Sequence, residues 1–206
     1  MSHESAATDV PALPPLRWTG EDGDAHFDPD TSRLTLVSAS GVDWTNDAFG
    51  AEHQHNATAL AFEAPDEFTF SARVSVVGQR STFDAGALAI WADRDHWAKL
   101  CFEFSPQAQA MVVSVVTADG FSDDANSSVV EADAVYLRLT RIGSGWAFHE
   151  SRDGATWHFV RQFRMTFPEP PLVGFLAQAP MGAACTAVFD RIAFALTVPH
   201  DLRDGT

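Results

Sequence analysis

The sequence predicts an all-β protein made of two packed antiparallel sheets, on three observations. Apolar and polar residues alternate at period two in several segments, the pattern of a strand with one buried face. No window carries a sustained i, i+3, i+4, i+7 apolar stripe with capping residues, so no helix is predicted. Turn residues recur between the apolar segments, and roughly ten to fourteen strands in about 190 residues suit a sandwich better than one small barrel.

In chain order, Met1–Pro15 is rich in Ala, Pro and Ser and reads as a flexible arm. Residues 16–198 read as a single domain, because no Pro/Gly/Ser linker interrupts them, and residues 199–206 read as a frayed tail. Arg33–Ser38 alternates Leu34 and Leu36 with Thr35 and Val37. Phe68–Val76 is the cleanest strand, with Phe68, Phe70, Ala72, Val74 and Val76 on one side. Ala85–Ala92 and His96–Phe104 flank Asp93-Arg94-Asp95, a connection short enough for a hairpin. Met111–Thr117 is a continuous β-branched run, and Val135–Arg141 alternates again. Trp146–Ser151 and Trp157–Phe163 flank the turn Arg152-Asp153-Gly154-Ala155. Leu172–Gln178 and Thr186–Leu196 close the domain.

The chain has 206 residues, 46% hydrophobic, which is enough for a sizeable core. Its formal net charge of −15 argues against nucleic acid and anionic membrane as partners, since both need a basic footprint. Cys101 and Cys185 lie in apolar segments and neither belongs to a CxxC pair, which suits free thiols in a reducing compartment. The N-terminal residues lack the basic and apolar regions of a secretory signal, and no run of 18 apolar residues occurs. The expectation is a soluble cytoplasmic chain, with no cofactor and no metal.

Lys99 is the chain's single lysine; every other cationic side chain is an arginine. It sits inside an apolar strand in which Ala98, Leu100, Phe102 and Phe104 point one way and Trp97, Lys99, Cys101 and Glu103 the other. Lys99 and Glu103 share that face about 13 Å apart, too far for a direct pair, so each needs partners from neighbouring strands. Trp91 falls beside Trp97 or Lys99 if the hairpin pairs. Ser114, Tyr136 and Arg138 are further candidates for the same face, with His55, Asp84 and Asp123 at its rim. Aromatic faces stack on sugar rings and charged groups bond their hydroxyls, so the face is a candidate groove for an oligosaccharide or another polar small molecule. The competing reading is a salt-bridged sheet face with no ligand.

Several segments taken in order resemble a known family: Asp43-Trp44, Phe83-Asp84-Ala85-Gly86, Trp97-Ala98-Lys99 with Glu103, Ser114-Val115-Val116-Thr117 with Phe121-Ser122-Asp123, Leu137-Arg138-Leu139-Thr140-Arg141, and Ser151-Arg152-Asp153-Gly154-Ala155-Thr156-Trp157. Over about residues 15–196 the chain is similar to the uncharacterised family that includes the "regulation of enolase" proteins. The resemblance implies a concanavalin A-like jelly-roll β-sandwich, as in the lectin/glucanase group, and a bias toward glycan binding. Asp124 stands where that family usually carries a Trp after Ser-Asp, which removes one stacking platform if that Trp meets a ligand.

Hydrolysis of a glycosidic bond needs two carboxyls about 5–9.5 Å apart. Glucanases of this fold carry them as Glu-x-Asp-x-Glu on one strand; here Glu103 is alone, with Lys99 and Cys101 in the other two positions. Asp84, Asp43, Asp123 or Asp124 would have to supply the second acid from elsewhere. Glu103 and Asp84 are therefore the catalytic candidates, although Lys99 is expected to lower the Glu103 pKa. Asp84 also fits a turn residue that holds local backbone N–H groups. His53-Gln54-His55 puts two rings on one strand face, but no third ligand is visible. The runs Glu21-Asp22-Gly23-Asp24 and Asp28-Pro29-Asp30 lack a calcium-loop signature and read as solvated turns. Ser151–Trp157 resembles an Asp-box hairpin with one residue missing. No nucleophile elbow, phosphate loop or dinucleotide fingerprint occurs. Three functions remain: a carbohydrate-binding sandwich, a glycoside hydrolase using Glu103 as acid/base, or a protein-interaction domain. No residue pattern specifies an oligomeric state.

Overall fold

The computed structural model describes residues 9–11, 13–51, 53–167 and 169–206. Among the described residues there are sixteen strands: β1 (Arg17–Trp18), β2 (Asp24–Asp28), β3 (Arg33–Val37), β4 (Trp44–Thr45), β5 (Gln54–His55), β6 (Ala59–Glu63), β7 (Glu67–Val77), β8 (Ala85–Trp91), β9 (Trp97–Phe104), β10 (Ala110–Ala118), β11 (Phe121–Val129), β12 (Ala134–Ile142), β13 (Gly145–Ser151), β14 (His158–Arg164), β15 (Leu172–Gln178) and β16 (Thr186–Ala195). No helix occurs among the described residues, and so none long and apolar enough to cross a membrane.

Two seven-stranded antiparallel sheets form a jelly-roll sandwich. Sheet A runs β1-β6-β15-β8-β9-β10-β11, sheet B runs β14-β13-β12-β7-β16-β3-β2, and β4-β5 is a small separate ladder. Between them lies one core, in which Phe62 and Phe70 meet edge to face at 5.4 Å and Phe70 meets Phe175 at 5.2 Å. Each buried phenyl ring contributes on the order of 1.5–3 kcal/mol. Gly174 has no room for a side chain: a Cβ there would run into the Leu60 carbonyl and the Ala61 Cα of the paired strand.

The alternation in β7 matches its burial, with Phe68, Phe70, Ala72 and Val74 inward and Thr69, Ser71, Arg73 and Ser75 less buried. Strands β8, β9 and β15 are different. They are apolar almost throughout because both faces are covered: the inner by sheet B, the outer by a second apolar cluster built on Trp44, Trp97, Ala87 and Leu176.

Two terminal expectations change. Residues 1–8 and 12 of the expected flexible arm lie outside the described residues, but Val10 is buried in the core with Leu13 and Leu16 packed against it. The expected frayed tail lies against sheet B, where Thr69 bonds the Thr197 carbonyl, His149 bonds that of Leu202 and Arg138 bonds that of Gly205.

Candidate functional site

Trp97, Lys99, Cys101 and Glu103 do share the outer face of sheet A, and hairpin pairing sets Trp91 directly opposite Trp97. The face is not open, however. Residues 42–46 cross it like a strap, tied at one end by the Val42–Ala179 bridge and at the other by Ser122, whose N–H donates to the Asn46 carbonyl and whose hydroxyl accepts the Asn46 N–H. Trp44 on this strap meets Trp97 at 5.8 Å and stacks on His55 at 5.0 Å with ring planes 9° apart. Trp97 is fully buried and gives its indole N–H to the Arg94 carbonyl, so no ligand ring can stack on it. An apolar stripe this small in bulk (Ala85, Ala87, Ala89) leaves space above the sheet, and the strap fills it.

Lys99 is only 2% exposed. Its ammonium donates to Asp43 Oδ1 at 2.7 Å and to Gln178 Oε1 at 2.8 Å. Burial is the largest single influence and works against the charge, but Asp43 together with Cys101 and Glu103 outweighs it and holds the ammonium above its ordinary pKa. Gln178 passes the connection on, donating to the carbonyl of Phe83, a residue held at φ 68°. Asp43 also caps its own strap by accepting the Trp44 N–H. The singular lysine is thus an anchor for the strap.

Glu103 lies beyond the strap at 9% exposure and is the least satisfied charge on this face. Burial, only partly offset by Lys99, pushes its carboxyl up to about 7, and the Asp43 and Asp124 charges push the same way. The lowering expected from Lys99 is present but loses to desolvation.

The other predicted residues separate. Tyr136 and Arg138 sit on β12 in sheet B, on its outer face, and do not join Lys99; alternation reveals a side of a strand but not which sheet holds it. Ser114 pairs with Leu100 and faces the inter-sheet core, because Val113 and Val115 are the residues of β10 that reach the outer cluster. Asp123 turns away from the face and pairs with Arg161 at 2.8 Å; Asp124, one residue on, is the acid whose charge Glu103 senses. Asp84 is buried at the start of β8, where Oδ2 accepts the Ser81 N–H, the turn role weighed for it, and Oδ1 packs against Gly182. His55 does come to the face, with its Nε2 accepting the Trp91 indole N–H at 3.1 Å. Burial, with Arg94 nearby, pushes it down to about 4, so the ring is neutral at pH 7. Both cysteines are free and buried, and burial pushes the Cys185 thiol up to about 12. No group of three potential metal ligands occurs among the described residues.

Beyond the other end of the strap, an open cleft of about 850 Å³ lies where the edges of the two sheets meet. Trp18 of β1, the turn Gly20–Asp24 and Thr58, whose Oγ1 accepts the Gly20 N–H, form one wall; Ser38, Val42, His55 and Asn56 form the other. The Trp18 ring lies on Gly23, where any side chain would collide with it, so the acidic turn can approach the indole only because it carries glycine there. Asn56 ties this wall to the strap: its Oδ1 accepts the Asp43 N–H and its Nδ2 bonds the Gly41 carbonyl. The acid run Glu21–Asp24 was read in the sequence as a solvated turn, and Trp18 carried no signal there. What joins them is a pairing of β1 with β6 and of β2 with β3 that no local pattern announces.

Fold and site define an all-β jelly-roll sandwich with an open cleft of mixed polar and apolar lining that includes an indole. Residues 18–196 match the family described as "Protein of unknown function (DUF1349)", and the chain belongs to that family. The likeness to "regulation of enolase" proteins is carried no further than this family by the matches found. Among curated proteins none matches. A Saccharomyces cerevisiae protein described as functionally unknown is similar over 89% of this chain and 97% of its own, with 24% identity and a TM-score of 0.78. A carbohydrate-binding module, CBM66 from Bacillus subtilis, is similar over 86% of this chain and 94% of its own, at 12% identity and a TM-score of 0.53. A xylan β-1,4-xylosidase from Bacillus halodurans C-125 is similar over 94% of this chain but only 40% of its own, at 16% identity and a TM-score of 0.65. These likenesses establish the sandwich fold.

Proposed function

We propose that this chain binds carbohydrate, with the sugar seated in the cleft beside Trp18. The observation that carries the reading is the cleft: at about 850 Å³ it falls within the roughly 300–1,000 Å³ of small-ligand pockets. Its lining joins an indole to carboxylates, a serine hydroxyl and the exposed Asn56 amide, the groups that pack against a pyranose ring and bond its hydroxyls. The neutral His55 ring adds an uncharged wall. Fold likeness to a carbohydrate-binding module and to part of a xylosidase supports this only as analogy. The sugar is moved from the Trp97–Lys99 face to the cleft because the strap closes that face. A panel of neutral oligosaccharides screened by thermal shift tests the reading. A ligand whose affinity falls roughly tenfold in Trp18→Ala, and less in Trp18→Phe, supports it; a panel without any binder, or binding indifferent to Trp18, contradicts it.

Glu103 favours a second reading, a glycoside hydrolase. A carboxyl titrating near 7 is protonated often enough at neutral pH to serve as a general acid, and Asp124 belongs to the same charge cluster. Turnover of chromogenic glycosides that disappears in Glu103→Gln, with the cleft intact, supports this reading over simple binding.

A further inference from the structure

The outer face of sheet B carries polar groups that neither reading uses. Its central row is Ser71, Arg138, His149 and Phe159, set side by side by the pairing of β7, β12, β13 and β14. Arg138 is the unusual member. It is 6% exposed, yet it has no carboxylate partner among the described residues. Lys99, the other buried cation, is matched by Asp43, and the half-buried Arg141 and Arg161 are matched by Asp66 and Asp123. Arg80 lacks an ion pair but lies in the field of Asp84 and Glu103. Burial alone acts on Arg138, pushing it down to about 10, with no acid to oppose it. In a chain of net charge −15, leaving one buried guanidinium without an anion is costly and calls for a reason.

The surroundings of Arg138 look like a receptor. Its guanidinium stacks on Trp157 at 4.3 Å, which fixes the plane of its donor fork. One donor, Nη2, bonds the Gly205 carbonyl at 3.0 Å, while Nε has no partner. Thr140 Oγ1 and His149 Nδ1, from the same face, are also buried without partners. Among the described residues, Trp157 and residues 197–206 lie over this row. Residues 197–206 are held by three carbonyls, Thr197 on Thr69, Leu202 on His149 and Gly205 on Arg138, and by Arg203 over the Phe159 ring at 4.6 Å. A backbone carbonyl is a single neutral acceptor, whereas an arginine fork prefers the two oxygens of a carboxylate. The covering segment is therefore a weaker occupant than the site can take.

We propose that the outer face of sheet B is a second binding site, a receptor for a small carboxylate ligand centred on Arg138 and held shut by residues 197–206 of the same chain. It goes beyond the cleft at Trp18, shares no residue with it, and takes an anion rather than a neutral sugar. Gly205 is the latch. It has φ +82°, and a Cβ on it would stand 2.8 Å from Trp157 Cβ and 3.1 Å from Arg138 Nη2. Gly205→Ala therefore works against the seated position of the segment and leaves the Arg138 and Trp157 side chains themselves in place to bind.

Two measurements test this. In the first, sodium glucuronate, sodium acetate and glucose are titrated calorimetrically into the wild type, Gly205→Ala, and Gly205→Ala with Arg138→Gln. The expected result is glucuronate binding that tightens at least roughly tenfold in Gly205→Ala, because the closed state no longer competes, and is lost with Arg138→Gln. Glucose shows none. Acetate binding as well as glucuronate marks a general carboxylate site, and glucuronate alone marks a sugar acid; either supports the proposal. In the second, an aspartate-specific protease cuts at Asp201 and Asp204 of the wild-type chain, and glucuronate but not glucose accelerates the cut by displacing the segment. Arg203→Ala, which removes only the Phe159 contact, raises the basal cleavage rate. The proposal is overturned by binding that survives Arg138→Gln, by equal binding of glucose, by no glucuronate binding in a folded Gly205→Ala whose segment is released, or by cleavage that neither variant nor ligand changes.

Discussion

Lys99 Nζ and Asp43 Oδ1 lie 2.7 Å apart although 56 residues separate them, and both side chains are buried. This pair pins the strap across sheet A, and through Asn56 the strap holds one wall of the Trp18 cleft. A buried ion pair stabilises only while both members remain, since the survivor of a truncation is left desolvated and unpaired. Lys99→Ala is expected to cost about 3–5 kcal/mol in chemical denaturation, and Asp43→Ala a similar amount. The double variant Lys99→Met with Asp43→Asn is expected to lose much less than the sum of its own two single variants, Lys99→Met and Asp43→Asn, which a double-mutant cycle reads directly.

Glu103 makes stability depend on pH in an unusual direction. Its folded pKa of about 7 lies above the ordinary 4.5, so the unfolded chain releases this proton first as pH rises. The protonated carboxyl stabilises the fold fully below pH 4.5, and that contribution is lost as pH rises through 7, by about 3 kcal/mol at 1.36 kcal/mol per unit. His55 and His149 act oppositely. Burial pushes both down to about 4, so their contribution is in place above pH 6.5 and lost as pH falls toward 4. Glu103→Gln removes only the first effect. Relative to wild type it is expected to gain stability steadily between pH 4.5 and 7, with no difference below, as measured by urea unfolding at a series of pH values.

Gly174 reports on how closely β15 and β6 approach. Because the obstacles to a Cβ are the backbone of Leu60 and Ala61, no rotamer change can relieve them. Gly174→Ala is expected to destabilise by more than about 3 kcal/mol, whereas the same change at Gly41, where a Cβ meets nothing, is limited to the cost of its φ of 71°. Thermal unfolding of the two variants separates the effects.

The strands were legible because period two survives wherever one face is buried. Phe68–Val76 was predicted and Glu67–Val77 is found; His96–Phe104 was predicted and Trp97–Phe104 is found. Legibility failed where that contrast vanishes. Strand β10 is apolar on both faces, so nothing in Met111–Thr117 shows that Ser114 points inward. Strand β11 is a polar edge strand, so Asp123 and Asp124 could not be assigned sides. Tyr136 and Arg138 were grouped with Lys99 because alternation orients a side chain without naming its sheet. The strap was hidden because β4 has two residues and its anchor, Asp43, is set by a contact 56 positions away. The isolated lysine was a true signal, but of an internal anchor rather than a ligand contact.

Calorimetric titration of one neutral oligosaccharide from the thermal-shift panel into wild type, Trp18→Ala and Glu103→Gln tests the central claim most directly. The account predicts saturable binding to wild type, at least a roughly tenfold weaker affinity for Trp18→Ala, and an unchanged affinity for Glu103→Gln. Binding that is lost in Glu103→Gln but retained in Trp18→Ala would contradict it and return the ligand to the face beneath the strap.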